Sequence, residues 1–211
     1  DFILKKANGK YFMWLAGDDV ISYDYVANNV KFLESNEEFV ASSSFPSFDF
    51  ENEILSSKPI ALNGILRERI QKLFNDLETS HNIFYSIARL SISRKFSELG
   101  KSYTALDWSY DYFLVLNGKV KTDTKGFIRF GTKGISRQED ANSKFANNVL
   151  EKKLPYIRFS KYVWFYTLKK SPSLLLLVTW LLLRLNLQHA ISMLKHNIAK
   201  FIKYYWNPSD L

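Results

Sequence analysis

The chain has 211 residues, 46% of them hydrophobic and 16% aromatic, which is enough apolar surface for a packed core and excludes a disordered polyelectrolyte. It has no cysteine, so disulfides and thiolate metal sites are excluded, and its three histidines, His81, His189 and His196, form no HxxxH pair of the kind that builds a zinc site. The formal net charge of +8 attracts polyanions, whether nucleic acid, anionic lipid or phosphorylated substrates, without choosing among them.

In chain order, residues 1–6 lack signal-peptide architecture and read as the tail of a helix. Asp1 is not an initiator methionine, and the chain is expected to be a fragment that starts partway through a domain. Ala7 to Lys10 form a turn, with Gly9 where a helix ends. Tyr11 to Leu15 is an apolar run with the length of a buried strand, and it stops at Ala16-Gly17-Asp18-Asp19. Asp18 and Asp19 are thereby expected at the carboxyl end of a strand, where open α/β sheets place their ligands. Ser22 is positioned to cap a helix over Tyr23 to Glu34, with Tyr23, Val26, Val30 and Leu33 on its apolar face. Phe39 to Phe45 reads as a strand and Pro46 to Pro59 as a polar loop. Leu62 to Leu77 reads as an amphipathic helix presenting Ile65, Ile70, Leu73, Phe74 and Leu77.

Ile83 to Ile92 has strand character, followed by a short helix near Arg94 to Leu99 that Gly100 ends. Asp107 to Leu116 is helical, Asn117-Gly118 closes it, and Lys119 to Phe130 makes one or two strands. Beyond Gln138 the character changes. Gln138 to Glu151 is polar and helical, Pro155 to Leu168 is aromatic-rich, and Leu174 to Leu183 is nearly all apolar until Arg184 breaks it.

Two acidic features carry the chemistry. Adjacent carboxylates repel unless a cation or hydrogen-bond donors hold them. Mg²⁺ and Mn²⁺ favour oxygen ligands and commonly bind a few carboxylates together with substrate phosphates. Asp18 and Asp19 therefore suit a divalent ion bridging a diphosphate, or, alternatively, an acidic pair at a helix start. Asp107 opens a helix, where exposed amide groups stabilise its ionised form. It suits a general base, or a plain helix cap.

The stretch ANGKYFMWLAGDDVISYDYV resembles the segment of family 2 nucleotide-sugar glycosyltransferases in which a hydrophobic strand runs into an aspartate-rich metal motif. Asp18 and Asp19 fall on its last two aspartates, while Ala16 stands where the family commonly has its first. The resemblance implies that Asp19, with Asp18, holds Mg²⁺ or Mn²⁺, and that Asp18 lies beside the donor's ribose and diphosphate. ALDWSYDYFLVLNGKVKTDTKGFIRF resembles the family's acidic pair, helix and strand pair, which makes Asp107 the catalytic base and Trp108 a stacking wall for a sugar, with a core tryptophan as the other reading. HNIFYSIARLSISRKFSELG resembles an aromatic-plus-arginine segment lining the acceptor cleft, pointing to Tyr85 and Arg89, with a core tyrosine and a surface arginine as the alternative. RFGTKGIS resembles the loop that closes the site, so Lys133 and Arg137 are candidates to meet the diphosphate, against a plain solvated role.

The resemblance spans roughly residues 5 to 137 and implies an α/β fold. This is the C-terminal half of a GT-A mixed sheet flanked by helices, lacking the N-terminal nucleotide-binding part, followed by a helical tail over residues 138 to 211. It implies an inverting transfer of sugar from a nucleotide-diphosphate donor to a glycan or lipid-linked acceptor, in polysaccharide or cell-envelope glycan synthesis. Leu174 to Leu183 is shorter than the roughly 20 apolar residues of a spanning helix. Its lysine-rich flanks suggest an interfacial tail on the cytoplasmic face of the cell membrane, or a helix packed on the catalytic domain. A non-catalytic, basic, membrane-associated binding module is the alternative function. Scattered basic residues without a recognised motif argue against nucleic acid.

Overall fold

The computed structural model describes residues 2–50, 53–56, 59–77, 81–98, 100–131 and 144–205. In chain order the elements are α1 (Phe2–Lys6), β1 (Tyr11–Phe12), β2 (Val20–Ile21), α2 (Tyr25–Glu34), β3 (Phe39–Phe50) and β4 (Glu53–Ser56). Next come α3 (Leu66–Asp76), α4 (His81–Phe84), β5 (Ile87–Arg89), α5 (Leu90–Ser93), α6 (Leu106–Asn117) and β6 (Lys119–Phe130). The chain ends in α7 (Val149–Lys153), α8 (Ile157–Lys170), a 3-10 turn at Pro172–Leu174 and α9 (Leu175–Tyr205).

The architecture is α/β, with a mixed sheet between helices. Strand order is β1-β5-β3-β6-β2, and β4 hangs on β3. The two long strands β3 and β6 run parallel, from Phe39 opposite Lys119 to Phe48 opposite Phe130; every other pairing is antiparallel. Helix α2 covers one face with Tyr25 and Leu33, which pack with Ile87, Ile128 and Phe130. On the other face α6 is buried almost all round, and α3, α8 and the first half of α9 close over it through Leu73, Phe74, Phe159, Val163, Val178 and Leu181. The core is thus continuous across residue 137.

A buried polar seam fixes α2 on the sheet. Ser42 Oγ donates to Asn29 Oδ1 (2.6 Å), and Asn29 Nδ2 donates to Ser44 Oγ (2.9 Å) and to the Tyr25 carbonyl (2.8 Å). On the opposite face Asn82 Nδ2 donates to Ser43 Oγ and Thr122 Oγ1, both at 2.9 Å. These bonds set the register of β3, because a one-residue slip would carry every serine to the wrong face.

Several expectations are corrected. Tyr11 to Leu15 is a strand only at Tyr11–Phe12; after that Trp14 leaves to stack on Phe84 (5.9 Å, 10° between planes). Ser22 does not cap α2: its hydroxyl accepts from the Phe127 amide and donates to Asp24. Tyr23 and Val26 are exposed, and the buried face is Tyr25, Asn29 and Leu33, one of them polar. The expected loop from Pro46 is instead the second half of β3 and its hairpin partner β4. Proline is tolerated there because Pro46 falls between the β5 pairing (Ala41, Ser42) and the β4 pairing (Ser47 onward), where β3 has β6 as its one neighbour.

Leu62 bridges to Val120 rather than starting α3. Ile83 to Ile92 is a short strand between two short helices, and Arg94 caps the second instead of beginning another. Helix α9 runs straight through Arg184, whose guanidinium donates to Asn75 Oδ1 (2.7 Å) and lies over the Trp180 ring at the surface. Of the helix expected over Gln138 to Glu151, residues 138–143 lie outside the described residues; α7 starts at Val149 with Asn148 as its cap.

Replacing Asn29 by Ala strands the Ser42 and Ser44 hydroxyls in the core. It is expected to lower unfolding free energy by about 2 kcal/mol or more, read from urea denaturation with an unchanged m-value.

Candidate active site: two acidic segments

Residues 16–19 make a tight turn between β1 and β2, with the Asp19 amide donating to the Ala16 carbonyl (3.2 Å). The Asp19 carboxylate returns the contact: Oδ2 accepts from the Ala16 amide (3.3 Å), and Oδ1 accepts from the Gly131 amide (3.0 Å). Asp19 thus ties the turn to the end of β6. Asp18 lies against the same glycine, where any Cβ would collide with its carboxylate and carbonyl. Gly131 is needed for this close approach.

Tyr85 follows α4 and leads into β5. Its ring packs on Phe130 (4.9 Å) and on Phe84 (5.2 Å), and its carbonyl accepts from the Tyr25 hydroxyl (3.1 Å). The phenol is pushed up to about 12, first by burial and then by the charges of Asp19, Asp107, Asp18 and Asp111. Four carboxylates, from two segments about ninety residues apart in sequence, therefore lie within electrostatic reach of one hydroxyl. That phenol stays protonated at neutral pH.

Helix α6 supplies two of the four. It is entered through Ala105, whose left-handed backbone (φ 67°) is unusual for a residue with a Cβ. Asp107 stands exposed in the first turn, where the helix amides favour its charge. Asp111 is one turn on, on the same side of the helix, and buried, and its Oδ1 has no hydrogen-bond partner. Burial, then the charge of Asp107, push its carboxyl well above the ordinary range. The sequence reading missed Asp111; the signal was its i, i+4 spacing from Asp107.

The other expected site residues fall elsewhere. Arg89 donates to the carbonyls of Phe39 (2.9 Å), Leu33 (2.7 Å) and Asn36 (3.0 Å), so its guanidinium holds the C-terminal end of α2 rather than facing a cleft. Trp108 is half-buried against Tyr156 (5.1 Å) and Phe159 (5.9 Å), a packing residue between α6 and α8. Lys133 and Arg137 lie outside the described residues. Among the described residues no group of three or more His, Asp or Glu side chains is arranged to hold a metal ion. Asp18 and Asp19 offer a pair of carboxylates, all-oxygen donors.

No protein-family model matches the chain, and no curated protein matches it.

Because Asp111 titrates higher in the folded than in the unfolded chain, its contribution is most favourable below the unfolded value of about 3.9 and declines as pH rises above it. Asp111→Asn, which removes the ionisation, is expected to raise stability near pH 7 by about 1–3 kcal/mol and to change it little near pH 4. Denaturant titrations at the two pH values check this.

Proposed function

We propose that this protein is a glycosyltransferase similar to family 2, with a GT-A type sheet, moving a sugar from a nucleotide-diphosphate donor to a hydroxyl of a glycan or lipid-linked acceptor. The observation that carries this reading is the Asp19 tie to Gly131 (3.0 Å), next to the Phe130 ring that packs on Tyr85 (4.9 Å), together with the influence of the Asp18, Asp19 and Asp107 charges on that phenol. A helix cap at either place would have no need of the other.

Asp18 and Asp19 face the diphosphate of the donor. Two carboxylates fit Mg²⁺ or Mn²⁺, which take their remaining ligands from water and phosphate. Held by Asp19 and Asp18, such an ion supplies Lewis-acid stabilisation of the departing diphosphate. Asp107 accepts the proton of the acceptor hydroxyl, whose oxygen bonds to the anomeric carbon from the face opposite the nucleotide. The bond from that carbon to the diphosphate oxygen breaks with inversion. Tyr85 donates a hydrogen bond into the cleft. Asp111, buried behind Asp107, disfavours a second charge beside the base. Lys133 and Arg137 remain candidates to neutralise the diphosphate. Arg89 and Trp108 support the cleft through packing.

Helix α9 supports a place at the cytoplasmic membrane surface. By length and composition alone, Pro172–Ile202 is long and apolar enough to cross a membrane. Yet Val178, Leu181, Leu182 and Leu185 are docked in the domain core, while Leu176, Trp180, Leu183, Leu187, Leu194 and Ile198 are exposed at helical spacing along the outer side. An outward apolar stripe on a docked helix favours lying in the interface over crossing it. The same stripe favours the second reading, a membrane-bound binding module without catalysis, which leaves the convergent acids without a role.

In the full-length protein, Asp107→Asn is expected to lower sugar transfer about 100-fold or more while leaving donor binding within a few-fold. Transfer and product release are followed by chromatography. Undiminished turnover would remove the base and favour the binding module.

A further inference from the structure

A concavity of about 680 Å³ is lined by none of Asp18, Asp19, Tyr85, Asp107 and Asp111. It lies between the segment that follows α5 and the outer side of α8. Six cations, Lys95, Lys101, Arg158, Lys161, Lys169 and Lys170, line it against one carboxylate, Glu98. Two of the six are committed: Lys101 to Glu98 (2.7 Å) and Arg158 to Glu151 (2.8 Å). Lys95, Lys161, Lys169 and Lys170 are exposed and make no ion pair among the described residues.

Lys161, Phe165 and Lys169 follow one another at i, i+4 spacing, which keeps all three on one side of α8. Beneath them Tyr162 and Tyr166 stack (5.5 Å, 12° between planes). Tyr162 is nine-tenths buried, and its hydroxyl oxygen has no hydrogen-bond partner. Burial keeps it protonated, with Tyr166, Tyr103, Glu98 and Tyr112 the ionisable groups acting on it.

We propose that this groove binds the phosphate headgroup of an anionic lipid. Cationic donors are phosphate chemistry. The lipid source is argued from position: Lys169 and Lys170 end α8 immediately before Pro172, where the long apolar segment begins, and a basic cluster at such a boundary meets anionic headgroups. Phe165, half-exposed on the groove wall, offers apolar contact to the rest of the lipid. The groove goes beyond the glycosyltransferase reading and does not depend on it.

The test uses the full-length protein, a groove variant Lys95→Gln/Lys161→Gln and a control Lys195→Gln/Lys200→Gln on exposed α9. Each is titrated with inorganic pyrophosphate, and each is floated with phosphatidylcholine vesicles with or without phosphatidic acid. The groove variant is expected to lose pyrophosphate binding and to lose preference for phosphatidic acid by about fivefold per lysine. The control should keep its pyrophosphate binding and most of its preference. Equal behaviour of the two variants in both titrations would overturn the site in favour of general surface charge. Loss of pyrophosphate binding with the vesicle preference intact would overturn the lipid assignment and leave a site for a soluble phosphate. Asp107→Asn should bind vesicles as wild type, so failure of the transferase reading is distinguishable from failure of this one.

Discussion

The Asp19 carboxylate accepts the amide hydrogens of Ala16 and Gly131, and the geometry of the cleft depends on that tie. Without it the turn would be joined to the sheet only through the two-residue strands β1 and β2 at its ends. With it, Asp18 and Asp19 are held at the end of β6, beside Phe130. Phe130 in turn carries the Tyr85 ring, and β6 lies parallel to β3, which pairs with β5 directly after Tyr85. One charge-assisted pair of hydrogen bonds thus connects the acidic turn to the two strands that position the phenol. On the proposed function the same carboxylate would also hold a cation, through lone pairs of its oxygens that the two amides leave free.

Helix α6 brings the remaining acids. It is buried on nearly every side by the sheet, α3 and α8, so its orientation is fixed by packing rather than by its own caps. The constraint shows in its entry through Ala105, held at positive φ, a strain that stays only where surrounding structure over-determines it. Asp107 stands at the surface and Asp111 below it, where burial and then the Asp107 charge push the Asp111 carboxyl well above its ordinary range.

Much of this was legible in the sequence. The strand candidates at Phe39 and Lys119, the amphipathic α3 and the helix from Asp107 carry clear periodicity, and the order of the two acidic motifs was on the page. What was hidden has physical causes. The α2 face was misread because the residue that buries between Tyr25 and Leu33 is Asn29, whose value lies in hydrogen bonds to Ser42 and Ser44 that no hydrophobic pattern records. The second half of β3 was hidden by Pro46, which reads as a breaker unless the missing strand neighbour is known. Arg89 looked like a cleft arginine because nothing local reveals that three backbone carbonyls at the end of α2 claim it. Asp111 was passed over because a buried acid in an aromatic helix has no local signature beyond its spacing.

The proposed acidic site and the basic groove differ in sign, with α8 and α9 packed into the same core as the sheet. The central claim concerns the acidic site. The most direct measurement is calorimetric titration of the full-length protein with nucleoside diphosphates and nucleotide sugars, with and without Mn²⁺, for wild type and Asp19→Asn, which keeps an oxygen to accept from Gly131. The account predicts metal-dependent binding of a nucleoside diphosphate by the wild type, weakened about tenfold or more when the charge is removed. A folded wild-type protein that bound none of these ligands, or bound them equally well without metal and with Asn at position 19, would contradict it.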